Sequence, residues 1–390
     1  MNWEDLIDQL RPLGQHMIER LPPRLRDDPQ ARAEGQRLLL AATMRAISDV
    51  MVGDRAHPMF VPELNIALNL FQPNSDTIYK SVLIGQGGRY RIRGERGSIR
   101  VMRMAQLGPD TLRTGQHSAA LLQHDFDALT LDDNGCFDVL LSVEKPDGHQ
   151  GDWWQLDPKT EKFMIRFVSY DWGVERDPRM SIDRLDTTPM RPRLSAEDLH
   201  ARYDELPTII GNASMMLVRL AEKLRDEGYI NRLKEVDFGQ MSGLARQSYY
   251  EGAYDLADDE ALLVEARVPA NCGYWSLILT NEIYETTDWY NNQSSLNGAQ
   301  ARLDADGQFR AVICARDPGV PNWLDTSGYP RGAVQGRWLD CDESPLPIMR
   351  KVLLSDVRGL LPADTPSVSP AERELSLRER RHGAQMRTIW

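Results

Sequence analysis

From Ala31 to Val52 the apolar residues Leu38, Leu39, Ala42, Ile47, Val50 and Met51 recur at roughly helical spacing, and a shorter helix is expected from Trp3 to about Leu13. After Pro73 the period shortens to two. In Arg89-Tyr90-Arg91-Ile92-Arg93, Tyr90 and Ile92 share one face and three arginines take the other, as a half-buried antiparallel strand requires. Further strand-like runs, clearest at Phe137 to Val143 and Phe163 to Tyr170, are divided by Gly87-Gly88, by Asp132 through Gly135 and by Asp157-Pro158. Strands follow strands without intervening helices, which predicts a meander rather than βαβ units.

A stretch of Asp, Arg and Pro between Arg176 and Arg193 predicts a boundary, and Ser195-Ala196-Glu197-Asp198 beyond it reads as a capping box opening a helix. That helical segment reaches about Glu227, with Pro207 leaving open one kinked helix or two. Strands return at Leu262 to Val268, Tyr274 to Thr280 and Phe309 to Ala315, with an Asp304-Ala305-Asp306-Gly307 turn between the last two. After Pro362 the chain is rich in Arg and Glu with little apolar periodicity, so an exposed tail or a subunit-packing arm is expected. The organisation is therefore an N-terminal helical segment (1–72), a first antiparallel β-unit (73–194), a helical connector (195–247), a C-terminal β-sandwich unit (248–362) and a tail (363–390). The fold class is mainly β with added helices, as antiparallel, jelly-roll-like sandwich units.

Composition excludes several functions. A chain of 390 residues that is 41% hydrophobic can bury a large core, and a formal charge of −12 removes the generic attraction to phosphate backbones and anionic lipid. No nucleic-acid or membrane partner is expected. The N-terminus carries acids where a signal peptide carries bases, and no stretch approaches the roughly 20 apolar residues of a membrane span, so a cytoplasmic location is expected. Cys136, Cys272, Cys314 and Cys341 lie far apart without CxxC pairing, which predicts free thiols rather than a zinc site or disulfides. Seven scattered histidines and the absence of Walker, Rossmann, GxSxG and HExxH patterns predict neither a metal nor a cofactor.

Three segments could carry chemistry. The run Asp317 to Thr326 has prolines and a glycine that would hold a rigid loop presenting Asp317, Asn322 and Asp325 beside Trp323; its alternative is a structural plug and a capped turn. In Glu285 to Asn292, followed by Ser295-Leu296-Asn297, acids, amides and aromatics alternate, so Asp288, Tyr290 and Asn297 could face a polar ligand or merely cross the surface. In Phe163 to Trp172, alternation puts Arg166 on a face with Met164, Val168 and Tyr170; a guanidinium there needs a carboxylate partner or an oxygen-bearing ligand.

The runs Asn74-Ser75-Asp76-Thr77-Ile78-Tyr79, Arg166 to Trp172, Gly273-Tyr274-Trp275 and Asp317 through Thr326 resemble the bacterial family of domain of unknown function 1214. The likeness is strongest from about Ser248 to Trp338 and includes Ser295-Leu296-Asn297 and Ala301 to Gly307. The resemblance implies jelly-roll-like sandwich units with helical additions and a homo-oligomer, and implies no reaction.

Together these residues predict an enzyme doing acid/base chemistry without a cofactor (dehydration, isomerisation or hydrolysis) on a hydrophobic small molecule with hydroxyl or carbonyl groups. Arg166 would polarise an oxygen and Asp288 or Asp325 would move the proton. Asn297, Asp317, Asn322, Trp323, Tyr290 and Trp275 would bind substrate. The alternatives are a non-catalytic binding or assembly protein, whose Trp, Tyr and Arg anchor an interface, and a carbohydrate-binding sandwich.

Overall fold

The period-two stretches form two β-sandwiches in the computed structural model of the chain, which describes residues 2–117, 119–238 and 243–390. The first contains β1 (Val61–Leu64), β2 (Thr77–Leu83), β3 (Tyr90–Glu95), β4 (Val101–Leu107), β5 (Ala120–Asp125), β6 (Cys136–Ser142), β7 (Asp152–Gln155), β8 (Lys162–Val168) and β9 (Arg179–Arg184). The second contains β10 (Lys234–Val236), β11 (Gln247–Asp255), β12 (Glu260–Arg267), β13 (Cys272–Thr280), β14 (Ser295–Asn297), β15 (Gln308–Cys314), β16 (Trp323–Asp325), β17 (Arg331–Cys341) and β18 (Ile348–Leu353). Tyr90, Ile92, Met102, Phe137, Phe163 and Ile165 are among the buried side chains of the first core; Tyr254, Leu262, Trp275, Leu277, Phe309 and Trp338 serve the second.

The two sandwiches are the same structure built twice. The first has sheets ordered β1-β2-β8-β4-β5 and β7-β6-β3-β9; the second has β10-β11-β17-β13-β14 and β16-β15-β12-β18, so adding nine to each strand number converts one into the other. Directions agree as well: β6 with β7 and β15 with β16 are parallel, and the remaining paired strands are antiparallel. The turns agree. Gly135 and Gly307 both take a left-handed backbone (φ 73° and 76°), which favours glycine, and each donates its N–H 2.9 Å to an aspartate carbonyl, Asp132 and Asp304.

Helices close the open ends. They are α1 (Trp3–Leu10), α2 (Leu13–Arg20), α3 (Pro29–Val52), α4 (Thr111–Thr114), α5 (Ala196–Met215), α6 (Leu220–Asp226), α7 (Val357–Leu360) and α8 (Pro370–Gln385). The Asp28 carboxylate accepts from the Gln30 amide at 2.8 Å, and Pro29 fills the first turn, where its missing donor costs nothing. The connector holds two helices, but the break follows Met215: Pro207 lies inside α5. The connector also contributes β10, and residues 239–242 of it lie outside the described residues. Four large apolar side chains on α3, Leu40, Met44, Ile47 and Met51, stay exposed. No helix among the described residues is long and apolar enough to cross a membrane.

Two expectations are corrected. The C-terminal segment is not an exposed tail: α8 is capped by Ser369 and straps both sandwiches. Arg373 donates to Asp317, to the Gln293 side chain and to the Val320 carbonyl; Arg387 donates to both oxygens of Asp177 and to the Asp76 and Phe167 carbonyls. Arg380 stacks 4.6 Å over Trp172, and burial pushes its guanidinium down to about 10. Apolar periodicity is weak because α8 docks through arginines rather than through a hydrophobic stripe. The cysteines are not all free either: Cys272 and Cys341 are joined, because they are register partners on β13 and β17 despite lying 69 residues apart. Cys136 and Cys314 are free.

Candidate functional site

The five-stranded sheets of the two sandwiches face each other. Val101 and Val168 pack against Tyr274 and Leu339 along one end of the junction. At the other end the sheets part around a cavity of about 170 Å³, bordered by loops of both units and by the α5–α6 turn. Alternation aims Lys162, Met164 and Arg166 of β8 into it, and Gln335 and Arg337 of β17 enter from the opposite wall. Each arginine lies opposite a tyrosine on the adjoining strand: Tyr79 pairs with Arg166, and Tyr249 with Arg337. The guanidinium carbons sit 5.9 and 5.4 Å from those ring centres. Because β2 and β8 correspond to β11 and β17, the two Tyr–Arg pairs lie on equivalent strand pairs of the repeat.

The polar groups fall into two clusters. In the first, Glu63 accepts from Lys162 at 2.7 Å and also binds Arg45 and Ser81, while Arg45 meets Asp49 at 2.5 Å and Asp110 lies 3.8 Å from Lys162. Burial alone would raise the Glu63 pKa; the charges of Arg45 and Lys162 outweigh it and hold the carboxyl well below its ordinary range. In the second cluster, Glu251 accepts from the Tyr284 hydroxyl and, at 2.5 Å, from Gln335. Here burial dominates and pushes the Glu251 carboxyl up. Phe71, Gln72 and Tyr284 line the cavity with left-handed backbones (φ 56°, 56° and 68°), each of which costs a non-glycine residue about 1–2 kcal/mol. His117 stands at the rim, its pKa lowered by partial burial.

The residues singled out from sequence do not converge here, Arg166 excepted. Asp288 closes a turn, accepting from the Tyr290 and Asn291 amides, both at 3.0 Å. Tyr290 packs edge-on against Trp289. Asp325 accepts from Ser327 in a turn at the far sheet of the second sandwich, its carboxyl pushed up by burial. Asp317 pairs with Arg373, Trp323 donates to the Cys314 carbonyl, and Asn322 bridges Arg302 and Arg310 backbone groups. Trp275 lies in the core against Phe309 and Trp338. Asn297 donates to Asp76 and to the Tyr170 carbonyl, both at 2.9 Å, and Asp76 also accepts from Tyr274 at 2.6 Å and Trp172 at 2.9 Å, so these residues bolt one sandwich to the other. Among the described residues no group of three or more His, Cys, Asp or Glu is arranged to hold a metal ion.

Sequence reasoning missed Glu63, Asp110, Lys162, Tyr249, Tyr284, Glu251, Gln335 and Arg337. One signal was available for part of the set. Val334-Gln335-Gly336-Arg337-Trp338 places two polar residues on one face of an otherwise apolar strand, the same anomaly that marked Arg166.

The chain shares its fold with a crystallised uncharacterized protein from Burkholderia cenocepacia, at 26% identity and a TM-score of 0.82 over 90% of this chain and 97% of that one. The VPA0106 protein from Vibrio parahaemolyticus aligns at 13% identity and a TM-score of 0.49, over 82% and 97% of the two chains. No curated protein matches. The resemblance read from sequence is nonetheless shown for the segment from Glu251 on β11 to Gln335 on β17, which gives Tyr284 and Gln335 to the cavity: residues 251–335 match the model of the family described as protein of unknown function (DUF1214).

Proposed function

We propose that the chain is an enzyme that binds a small molecule in the cavity between the sandwiches and performs acid/base chemistry at a carbon next to a carbonyl or hydroxyl group. The observation that carries this reading is the cavity's division of labour. Arg166 and Arg337 reach it from opposite walls, Tyr284 brings a hydroxyl coupled to Glu251, and Leu64, Phe71, Leu112 and Met164 supply apolar wall. Arg166 and Arg337 are suited to polarise an oxygen, as enclosed cations do most strongly. Tyr284 reaches the cavity and Glu251 does not, so the proton moves in relay: a substrate proton passes to the Tyr284 oxygen as the phenolic proton passes to Glu251. A carboxyl raised by burial makes a better acceptor near neutral pH than an exposed one. Single-ring oxo and hydroxy compounds incubated in deuterium oxide report this directly by loss of the proton signal at the reacting carbon. Tyr284→Phe is expected to slow exchange by about 10²-fold or more, with ligand affinity nearly unchanged. Exchange at the wild-type rate in that variant would sink the relay.

A homo-oligomer is a second element of the proposal. On α3, Leu40, Met44, Ile47 and Met51 follow one another at steps of four, three and four, the seam spacing of two helices packed along their length. A second copy presents the same seam across a two-fold axis, so the stripe is self-complementary. Leu40→Glu is expected to convert a dimer to a monomer in light scattering without lowering the melting temperature of the protomer. A wild-type protein that is monomeric throughout the micromolar range overturns this part.

A further inference from the structure

The cavity's charge pattern narrows the ligand. We propose that the ligand is a monoanion of single-ring size whose carboxylate is gripped by the two Tyr–Arg pairs, Tyr79–Arg166 and Tyr249–Arg337, one from each repeat. This rests on the cavity being the functional site.

Arg337 is the first reason. It is only 5% exposed, its Nη2 meets the Gln335 side-chain oxygen, and its Nε is buried with no hydrogen-bond partner. Among the described residues no carboxylate oxygen comes within 4.0 Å of it; the groups around it are the Tyr249, Tyr274 and Tyr79 phenols, which burial keeps neutral in the case of Tyr249 and Tyr274, with Asp76 and Glu251 acting on it from farther off. A guanidinium taken out of water without a carboxylate loses hydration that phenols and amides restore only in part. A bound carboxylate would complete the site with paired N–H···O bonds, which the planar fork of an arginine is shaped to make.

The rest of the wall agrees. Lys162 is already matched by Glu63 and Asp110, so it does not compete for the anion. Glu251 is held by Tyr284 and Gln335 and does not line the cavity, which limits repulsion of an incoming carboxylate. Arg166 reaches the cavity from the equivalent strand, and the charges of Arg337 and Arg166 both act on the Tyr249 phenol. Leu107, Leu112, Met164, Met216 and Leu217 leave an apolar remainder. A cavity of about 170 Å³ is close to the ~150 Å³ that accommodates benzene, so one ring or a short branched chain fills it.

Benzoate, its neutral counterpart benzamide and phenyl phosphate test the claim by calorimetric titration and by ligand-induced shift of the melting temperature. Benzoate is expected to bind at least about tenfold tighter than benzamide, and Arg337→Gln to erase that preference. Arg337→Lys should retain part of it. Benzamide binding as well as benzoate would overturn the anion claim and leave the cavity as a small-molecule site; no binding by any of the three would overturn both. Tighter binding of phenyl phosphate would replace the carboxylate by a phosphate. Should Arg337→Gln fail to fold, the benzoate–benzamide comparison on the wild-type protein still decides.

Discussion

Glu63→Gln is expected to lower folding stability by about 3–5 kcal/mol, measured by denaturant unfolding at neutral pH, because the substitution keeps the shape and removes the charge that balances two buried cations. Arg45 is 1% exposed and Lys162 4% at their side chains, and both direct a nitrogen at Glu63. Asp49 and Asp110 remain in the variant, so Arg45 keeps one partner and Lys162 keeps one at 3.8 Å. A loss below about 1 kcal/mol would mean that these two suffice. The network also sets a pH dependence. The folded Glu63 pKa is lowered from its ordinary 4.5, so its contribution is fully present above about pH 4.5 and is lost as pH falls through the lower folded value. Asp110, also lowered, acts in the same sense. Lys162 is raised from 10.5, so its contribution is present below that pH and lost as pH rises through the folded value. The variant should therefore show a flatter acid limb of stability against pH than the wild-type protein.

Arg387→Ala is expected to cost about 3–5 kcal/mol and to loosen the C-terminal strap, since Asp177, whose side chain is 2% exposed, would be left as a buried charge with its guanidinium gone. The same residue holds the Asp76 and Phe167 carbonyls at 3.1 Å. Its loss therefore removes a donor from a carbonyl on β8 and from one just before β2, together with the partner of the carboxylate. Hydrogen exchange provides the sharper measurement. Amides of α8 and of Ser169, which donates to the Asp76 carbonyl, should lose protection in the variant, whereas those of β12 and β15 should not. Uniform loss of protection across both sandwiches would mean that Arg387 supports the whole fold and not the strap.

Much of the fold was legible because local rules and tertiary structure agree. Tyr90 and Ile92 alternate with arginines in the sequence and are fully buried in β3; the capping box at Ser195 opens α5 as its residues dictate. The glycine turns at Asp132–Gly135 and Asp304–Gly307 were each readable as turns. Their equivalence was not: the surrounding strands, Cys136–Ser142 and Gln308–Cys314, share a hydrophobic pattern rather than identities, and that pattern suits any half-buried strand. Only strand order and direction reveal the duplication.

The site was harder to see for the same reason. Asp288, Asp317 and Asp325 attracted attention as acids in rigid loops, yet their oxygens accept from nearby amides or from Arg373, as turn and capping acids do. Arg166 stood out because a charge on an apolar strand face is costly alone. By itself the sequence determined the alternation of strands, the helix starts and the need of Arg166 for a polar environment, since these depend on residues a few positions apart. Tertiary structure alone decided that Tyr79, Arg166, Tyr249 and Arg337 meet, that Tyr284 finds Glu251 and that Cys272 finds Cys341. Those meetings depend on which sheets face each other, and pairing between strands tens to hundreds of residues apart leaves no local periodicity to read.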